Sequence, residues 1–137
     1  VRTGSESIGT HDGKKADAIK TKHLNNVNCE GYQVIGIDEA QFFDGLVEWV
    51  LEAVYKQNKH IILASLDGDY KQRIFGHTFE LIPHADEVIK LKALCHHCAL
   101  LGNEVPAPFT KRIVLDNTLH LVGGNDTYQA VCRKHLK

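Results

Sequence analysis

Val34-Ile35-Gly36-Ile37-Asp38-Glu39-Ala40-Gln41-Phe42-Phe43 is the stretch on which the fold turns. A short apolar run of β-branched residues and one glycine ends abruptly in two carboxylates. Without polar alternation, such a run predicts a strand buried on both faces of a parallel sheet, with charge at its carboxyl end. Downstream, Leu46, Val47, Val50, Leu51 and Val54 recur every three or four residues. That period predicts a helix, with Asp44 placed to cap it and Asn58 and Lys59 to close it. Ile61-Ile62-Leu63-Ala64 is a second apolar run, with charge following at Asp67. Strand, helix, strand at this spacing predicts a βαβ unit with a right-handed crossover and a parallel strand pair.

Upstream, residues 1–33 are polar and punctuated by Gly4, Gly9 and Gly13. They predict loop, with a short helical turn at Ala16-Asp17-Ala18-Ile19. On the other side, a Gly- and charge-rich loop runs from Asp67 to Gly76, and Val88-Ile89-Lys90-Leu91 predicts a third strand. After Ala93 the texture changes. Cysteines, Pro106, Pro108 and β-like pieces over Arg112 to Leu115 and Leu119 to Val122 predict a small appended subdomain. The expected division is residues 1–93 and 94–137.

The 137 residues are 43% hydrophobic and 24% charged, an ordinary globular composition with material for a core. Sixteen Lys and Arg against 17 Asp and Glu leave a formal net charge of -1, which argues against a protein that coats nucleic acid. No apolar run approaches the ~18 residues of a membrane span, and no secretory pattern opens the chain. A cytoplasmic setting with no membrane partner is expected. There the 4 cysteines read as reduced thiols or metal ligands. The chain contains no Met and opens at Val1, so it is expected to be the later part of a longer protein.

Cys95-His96-His97-Cys98 is a C-x2-C knuckle, and Cys132-Arg133-Lys134-His135 is a C-x2-H knuckle. Zinc takes four soft or borderline ligands in a tetrahedron, and two knuckles supply two each. The pattern predicts a structural Cys3His site of Cys95, Cys98, Cys132 and His135, closed to a catalytic water. The plain alternative is three buried thiols and a surface histidine. His96 and His97 compete with His135 for the fourth position. Cys29 has no near partner and reads as a small core or surface residue.

An apolar strand ending in Asp-Glu is also the Walker B arrangement of P-loop nucleotide enzymes, though a solvated strand end reads the same way. More specifically, Ile37-Asp38-Glu39-Ala40-Gln41-Phe42-Phe43 resembles the IDE(A/G)QFF segment of the thymidine kinases of the cellular, zinc-containing type. Further segments resemble that family in the same order: Thr10-His11-Asp12, Leu66-Asp67-Gly68-Asp69-Tyr70 with Phe75-Gly76, Phe109-Thr110-Lys111-Arg112, and Val122-Gly123-Gly124-Asn125-Asp126-Thr127-Tyr128 before the Cys132 knuckle. The matches run from about Thr10 to His135.

The resemblance implies an α/β fold, a P-loop parallel sheet with a small zinc-binding β subdomain. It also implies ATP- and Mg²⁺-dependent phosphorylation of the thymidine 5′-hydroxyl. Glu39 resembles the general base, a sensible role because an alcohol is a poor nucleophile at neutral pH. Asp38 would stand in the Mg²⁺ shell and Arg2 against phosphate charge. Phe42, Leu66, Tyr70, Phe75, Thr110, Arg112, Leu119, Leu121 and Tyr128 would surround the nucleoside. Gly123 and Gly124 would let main chain approach the base closely. The family further implies deoxyuridine as a second acceptor, feedback inhibition by thymidine triphosphate, and a homotetramer.

Three features depart from the family pattern. The G-x4-GK-(S/T) phosphate loop and its strand are missing: counting back from Lys14, the required first glycine falls at Ile8. The chain by itself is therefore expected to bind ATP poorly. His135 stands where the common form has Cys, an acceptable exchange for zinc. Asp69 replaces the usual Thr, adding charge beside Asp67 near the phosphate path. Two rivals to the kinase reading are a non-catalytic zinc-containing binding module and a P-loop kinase for another deoxynucleoside.

Overall fold

The computed structural model describes residues 6–9, 13–114 and 127–137. Arg2, Leu119, Leu121, Gly123 and Gly124, the Thr10-His11-Asp12 segment and the expected β-like piece at Leu119 to Val122 lie outside the described residues. Contacts divide the chain into two units. The first is Val1–Leu66 with Gly76–Leu81, and the second is Asp67–Phe75 with Ile82–Lys137.

The first unit opens with an antiparallel hairpin. β1 (Glu6–Gly9) pairs with β2 (Lys15–Ala18) in the register Glu6 to Ala18 and Gly9 to Lys15. The helical turn expected at Ala16 to Ile19 is thus a strand. So short a segment cannot meet the cost of nucleating a helix, whereas a neighbouring strand satisfies its backbone groups directly.

β3 (Val34–Ile37), α1 (Leu46–Tyr55) and β4 (His60–Leu63) form the expected βαβ unit, and β3 and β4 pair in parallel with Val34 opposite His60 and Ile37 opposite Leu63. Leu46, Val50 and Ala53 form the buried stripe of α1. They share a core with Leu24, Ile37, Ala40 and Leu81, flanked by Ile35, Phe43, Val47, Ile61 and Leu63. Each fully buried aliphatic side chain contributes roughly 1.5–3 kcal/mol by leaving water. The helix start differs from expectation. Gly45, not Asp44, holds the cap position, with a left-handed φ of 69°, a conformation that glycine adopts without a Cβ penalty. At the other end Asn58 turns left-handed and the Lys59 amide closes onto the Ala53 carbonyl at 3.0 Å. The Lys59 ammonium then donates to the carbonyls of Cys29 and Tyr32, tying the preceding loop to the helix end.

In the second unit, β5 (Ala93–Leu94) pairs antiparallel with β6 (Pro106–Ala107), and α2 (His96–Ala99) spans the first knuckle. β7 (Phe109–Arg112) pairs antiparallel with β8 (Tyr128–Val131), placing Arg112 opposite Tyr128 and Thr110 opposite Ala130. The β-like piece expected from Arg112 to Leu115 is thus set three residues earlier, where β8 provides a partner. Cys95, Ala107, Val131 and Cys132 form the core here, flanked by Val105, Phe109 and Leu136.

The strand expected at Val88 to Leu91 does not form. This segment is irregular and has no strand partner among the described residues. Val88, Ile89 and Leu91 are 60%, 68% and 85% exposed, so apolar composition without a neighbouring ladder left them outside the core. Among the described residues the only parallel pairing is that of β3 with β4. No helix there is long and apolar enough to cross a membrane.

Candidate functional site

The carboxyl end of β3 is stitched into place by its neighbour. The Ala64 amide donates to the Ile37 carbonyl at 2.9 Å, and the Ala40 amide donates to the Ala64 carbonyl at 3.0 Å. Between these two bonds the chain projects Asp38 and Glu39 into solvent. Glu39 adopts φ 52° and ψ 39°, the left-handed region, which costs a side-chain-bearing residue roughly 1–2 kcal/mol. Such strain, held by surrounding bonds, marks positions where a side chain must point a particular way. Asp38 Oδ1 accepts the Glu39 amide at 3.0 Å and steadies the turn. Gln41, only 5% exposed, donates from Nε2 to Glu39 Oε2 at 2.5 Å and accepts the Leu66 amide on Oε1 at 3.1 Å. Phe42 and Leu66 are 56% and 49% exposed.

The second unit gathers a different part of the expected site. The Arg112 guanidinium lies 3.8 Å from the Tyr70 ring centroid and 5.1 Å from that of Tyr128, and its Nη2 donates to the Tyr128 hydroxyl at 2.6 Å. A planar cation stacked on a tyrosine and bonded to another forms a rigid, amphipathic surface. Thr110 is half-buried two residues before Arg112 on β7, and Phe75 is half-buried in the same unit.

The loop carrying Tyr70 is closed by Asp69. Its side chain is 8% exposed, Oδ1 accepts the amides of Lys71 at 2.8 Å and Arg73 at 3.0 Å, and Oδ2 accepts Arg73 Nε at 2.9 Å. Burial pushes this carboxyl up, but the Arg73 amide and guanidinium and the Lys71 amide outweigh it and hold it below the usual carboxylate range. The extra charge at Asp69 therefore has a physical account. It is neutralised within its own loop. Beyond it, Gly68 bridges Ile74, and Lys90 pairs with Asp67.

Cys95, Cys98, Cys132 and His135 converge, all ligand atoms lying within 4.8 Å of one another. His135 Nδ1 stands 3.5, 3.6 and 3.4 Å from the sulfurs of Cys95, Cys98 and Cys132, and the Cys98 and Cys132 sulfurs are 3.9 Å apart. A tetrahedron with Zn–S near 2.3 Å and Zn–N near 2.05 Å has edges of about 3.8 Å between sulfurs and about 3.5 Å from sulfur to nitrogen. The three edges from His135 and the Cys98–Cys132 edge fit that figure. Burial pushes the Cys98 thiol up, and the adjoining Cys95 and Cys132 sulfurs push it further, to about 11. Burial acts on Cys95 in the same sense, but backbone groups of Cys132 and Cys98 and the His135 ring outweigh it, to about 5. His96 and His97 are not in the cluster. The His97 ring packs against the His135 ring at 5.1 Å, tilted, instead of pointing a nitrogen inward.

Sequence reasoning quoted Gln41 but assigned it no role. Its signal was a lone amide between a carboxylate and two aromatics, where burial forces it to find partners. Lys111 was likewise passed over, and its ammonium donates to the carbonyls of His135 and Lys137, bracing the second knuckle. Two concave surfaces among the described residues of the first unit are lined by Trp49, one of about 390 Å³ also lined by Cys29 and Lys59, and neither of these two holds an expected site residue.

Residues 1–136 match the family model described as thymidine kinase. A thymidine kinase of Oryza sativa subsp. japonica is 41% identical over 141 residues, covering 98% of this chain and 50% of the relative. A cytosolic thymidine kinase of Cricetulus griseus is 40% identical, covering 94% and 53%. A thymidine kinase of vaccinia virus is 38% identical, covering 93% and 70%. The chain spans about half the length of the plant and hamster relatives it matches.

Proposed function

Because this chain belongs to the thymidine kinase family, we propose that it serves transfer of the γ-phosphoryl group of ATP to the 5′-hydroxyl of thymidine, with deoxyuridine as a second acceptor. The observation that carries this reading is Glu39, exposed at the end of β3 with one carboxylate oxygen held by the buried Gln41. In this reading Glu39 accepts the proton of the 5′-hydroxyl as its oxygen bonds to the γ-phosphorus. The bond from that phosphorus to the bridging oxygen breaks, giving thymidine monophosphate and ADP.

Asp38 supplies the hard carboxylate oxygen that Mg²⁺ prefers, and the ion when bound offsets phosphate charge. Tyr70, Arg112 and Tyr128, together with Phe42, Leu66, Phe75, Thr110, Leu119, Leu121, Gly123 and Gly124, are assigned to the nucleoside, and Arg2 to phosphate. The Cys3His cluster is assigned to structural zinc: with four protein ligands it has no open position for chemistry. The larger P-loop parallel sheet, the zinc-bearing subdomain over residues 94–137, feedback inhibition by thymidine triphosphate, a homotetramer and a cytoplasmic location complete the proposal. The location is supported by the cytosolic hamster relative.

The test is transfer from ATP to thymidine by purified protein with Mg²⁺, with deoxycytidine as control. Thymidine monophosphate alone is expected, and Glu39→Gln should lose turnover while retaining nucleoside binding. Equal use of deoxycytidine would instead indicate a kinase of different selectivity. A protein that neither binds nor phosphorylates thymidine would be a zinc-containing binding module.

A further inference from the structure

We infer that Gln41 is a positioning residue for the reaction, holding the Glu39 carboxylate in the orientation from which it takes the 5′-hydroxyl proton. The inference rests on the reading of Glu39 as the base and adds the group that aims it.

Three observations converge on this side chain. First, Gln41 is 5% exposed, so its amide must be satisfied by protein groups. Second, its two ends are used differently. Nε2 donates to Glu39 Oε2 at 2.5 Å, and Oε1 accepts the Leu66 amide at 3.1 Å. The amide orientation is dictated by chemistry, because a carboxylate only accepts and a backbone N–H only donates. Third, the Gln41 backbone is pressed by Gly76. A Cβ at Gly76 would stand 2.4 Å from the Gln41 carbonyl oxygen and 2.7 Å from its Cα. The absence of a side chain at Gly76 thus lets the two backbones approach, and any Cβ there would displace Gln41. The Gln41 amide is held at its tip by the Leu66 N–H, three residues beyond the end of β4.

What it anchors needs holding. Glu39 is exposed, sits on a left-handed backbone, and has a flexible side chain with several rotamers. A charge-assisted bond from a buried, immobile donor removes most of that freedom and leaves the second oxygen available for a proton. Orientation of this kind is where large rate effects arise: a displacement of ~1 Å can cost on the order of 100-fold.

The experiment compares Gln41→Met and Gln41→Glu with the wild type in full-length protein, by steady-state phosphorylation of thymidine and by thermal unfolding. Met matches the length and volume of Gln but donates nothing. Glu still accepts the Leu66 amide, so the loop keeps its anchor, but a carboxyl this close to Glu39 repels it or shares its proton, so the loss in kcat should come with a shifted pH profile. Both variants should lose ~10- to 100-fold in kcat, with the thymidine KM within about twofold. If Gln41→Met is too unstable to assay, Gln41→Leu, of similar volume and equally without a donor, takes its place. A folded variant of either kind with wild-type kcat, or one whose loss lies in KM, would overturn the positioning role. Glu39→Gln is run alongside. If that variant retains turnover, or if the wild type does not phosphorylate thymidine, the reading of the base fails and the inference with it. Inactive Glu39→Gln beside fully active Gln41 variants sinks the inference alone.

Discussion

Gly76 and the Gln41 carbonyl are so close that a single methyl group cannot be placed between them: a Cβ on Gly76 would stand 2.4 Å from that oxygen. Gly76 also has φ 68°, where a side chain is strained regardless of space. Both effects act against any substitution. Gly76→Ala should lower stability by about 2–4 kcal/mol, the left-handed strain and the clash with rigid main chain adding together. Because the backbone that must give way belongs to Gln41, activity should fall beyond what unfolding explains. Thermal unfolding alongside kcat at a temperature where the variant is folded checks this. A variant as stable as the wild type would show that the backbone yields freely there.

The metal cluster makes a sharper claim, because the two candidate histidines for the fourth position stand side by side. His135 Nδ1 lies within 3.6 Å of all three sulfurs, while the His97 ring only packs against the His135 ring. Purified protein should carry about one zinc per chain. His135→Ala should lower zinc retention at least ~10-fold under chelator challenge, and His97→Ala should change it little. Removing the metal should melt the second unit first, since Cys95 and Cys132 are half of its four-residue buried core and their thiolates would be left without a cation. Metal content and near-ultraviolet dichroism against chelator concentration read both effects. Equal loss from the two variants would mean that the ring pair holds the ion jointly.

The βαβ unit was legible because its signals are local. The Val34–Ile37 run, the Leu46 to Val54 period and the Ile61 to Leu63 run each carry their element in a few residues. The zinc ligands were legible for the same reason, each knuckle being a fixed spacing. What was not legible depended on a partner. Lys15 to Ala18 pairs with β1, and β8 exists because β7 lies beside it. Val88 to Leu91 has strand composition and no described partner. Gln41 and Asp69 were opaque on a related ground. Their roles lie in bonds to the Leu66 amide, 25 residues away, and to Arg73, and one sequence does not show those bonds. Glu39 was named from resemblance, and only its backbone and its contact with Gln41 supplied a physical reason.

Asp69 predicts a pH dependence whose direction follows from its partners. Its folded-state carboxyl is held below the ordinary value of about 3.9, so its stabilising contribution is fully present above about pH 4 and is lost as the pH falls through its lower folded value. Arg73 is 57% exposed, so the ion pair itself adds little, and the two backbone amides carry most of the effect. Asp69→Ala should therefore expose the amides of Lys71 and Arg73 and speed their hydrogen exchange near pH 6 by at least ~10-fold, with a stability cost of about 1–3 kcal/mol. The gap between variant and wild type should close well below pH 4. A gap unchanged into strong acid would mean that packing, not the charge, holds the loop.

The Tyr128 hydroxyl separates geometry from bulk at the proposed nucleoside surface. It accepts Arg112 Nη2 at 2.6 Å, while the guanidinium is stacked 3.8 Å from the Tyr70 ring centroid. Tyr128→Phe keeps the ring and removes the hydroxyl that accepts this bond. Losing a hydrogen bond to a charged group costs about 1.5–3 kcal/mol where no water replaces it, and less where water enters. If this surface binds the nucleoside in ground and transition states alike, the loss appears as a rise in thymidine KM of ~3- to 30-fold with kcat nearly unchanged. Arg112→Lys tests the other half. Lysine keeps the charge but lacks the planar face that stacks on Tyr70, so it should weaken binding at least as much despite being the conservative exchange. Steady-state kinetics and direct titration with thymidine read both variants. A change confined to kcat would move Arg112 and Tyr128 from the nucleoside surface to the reacting groups.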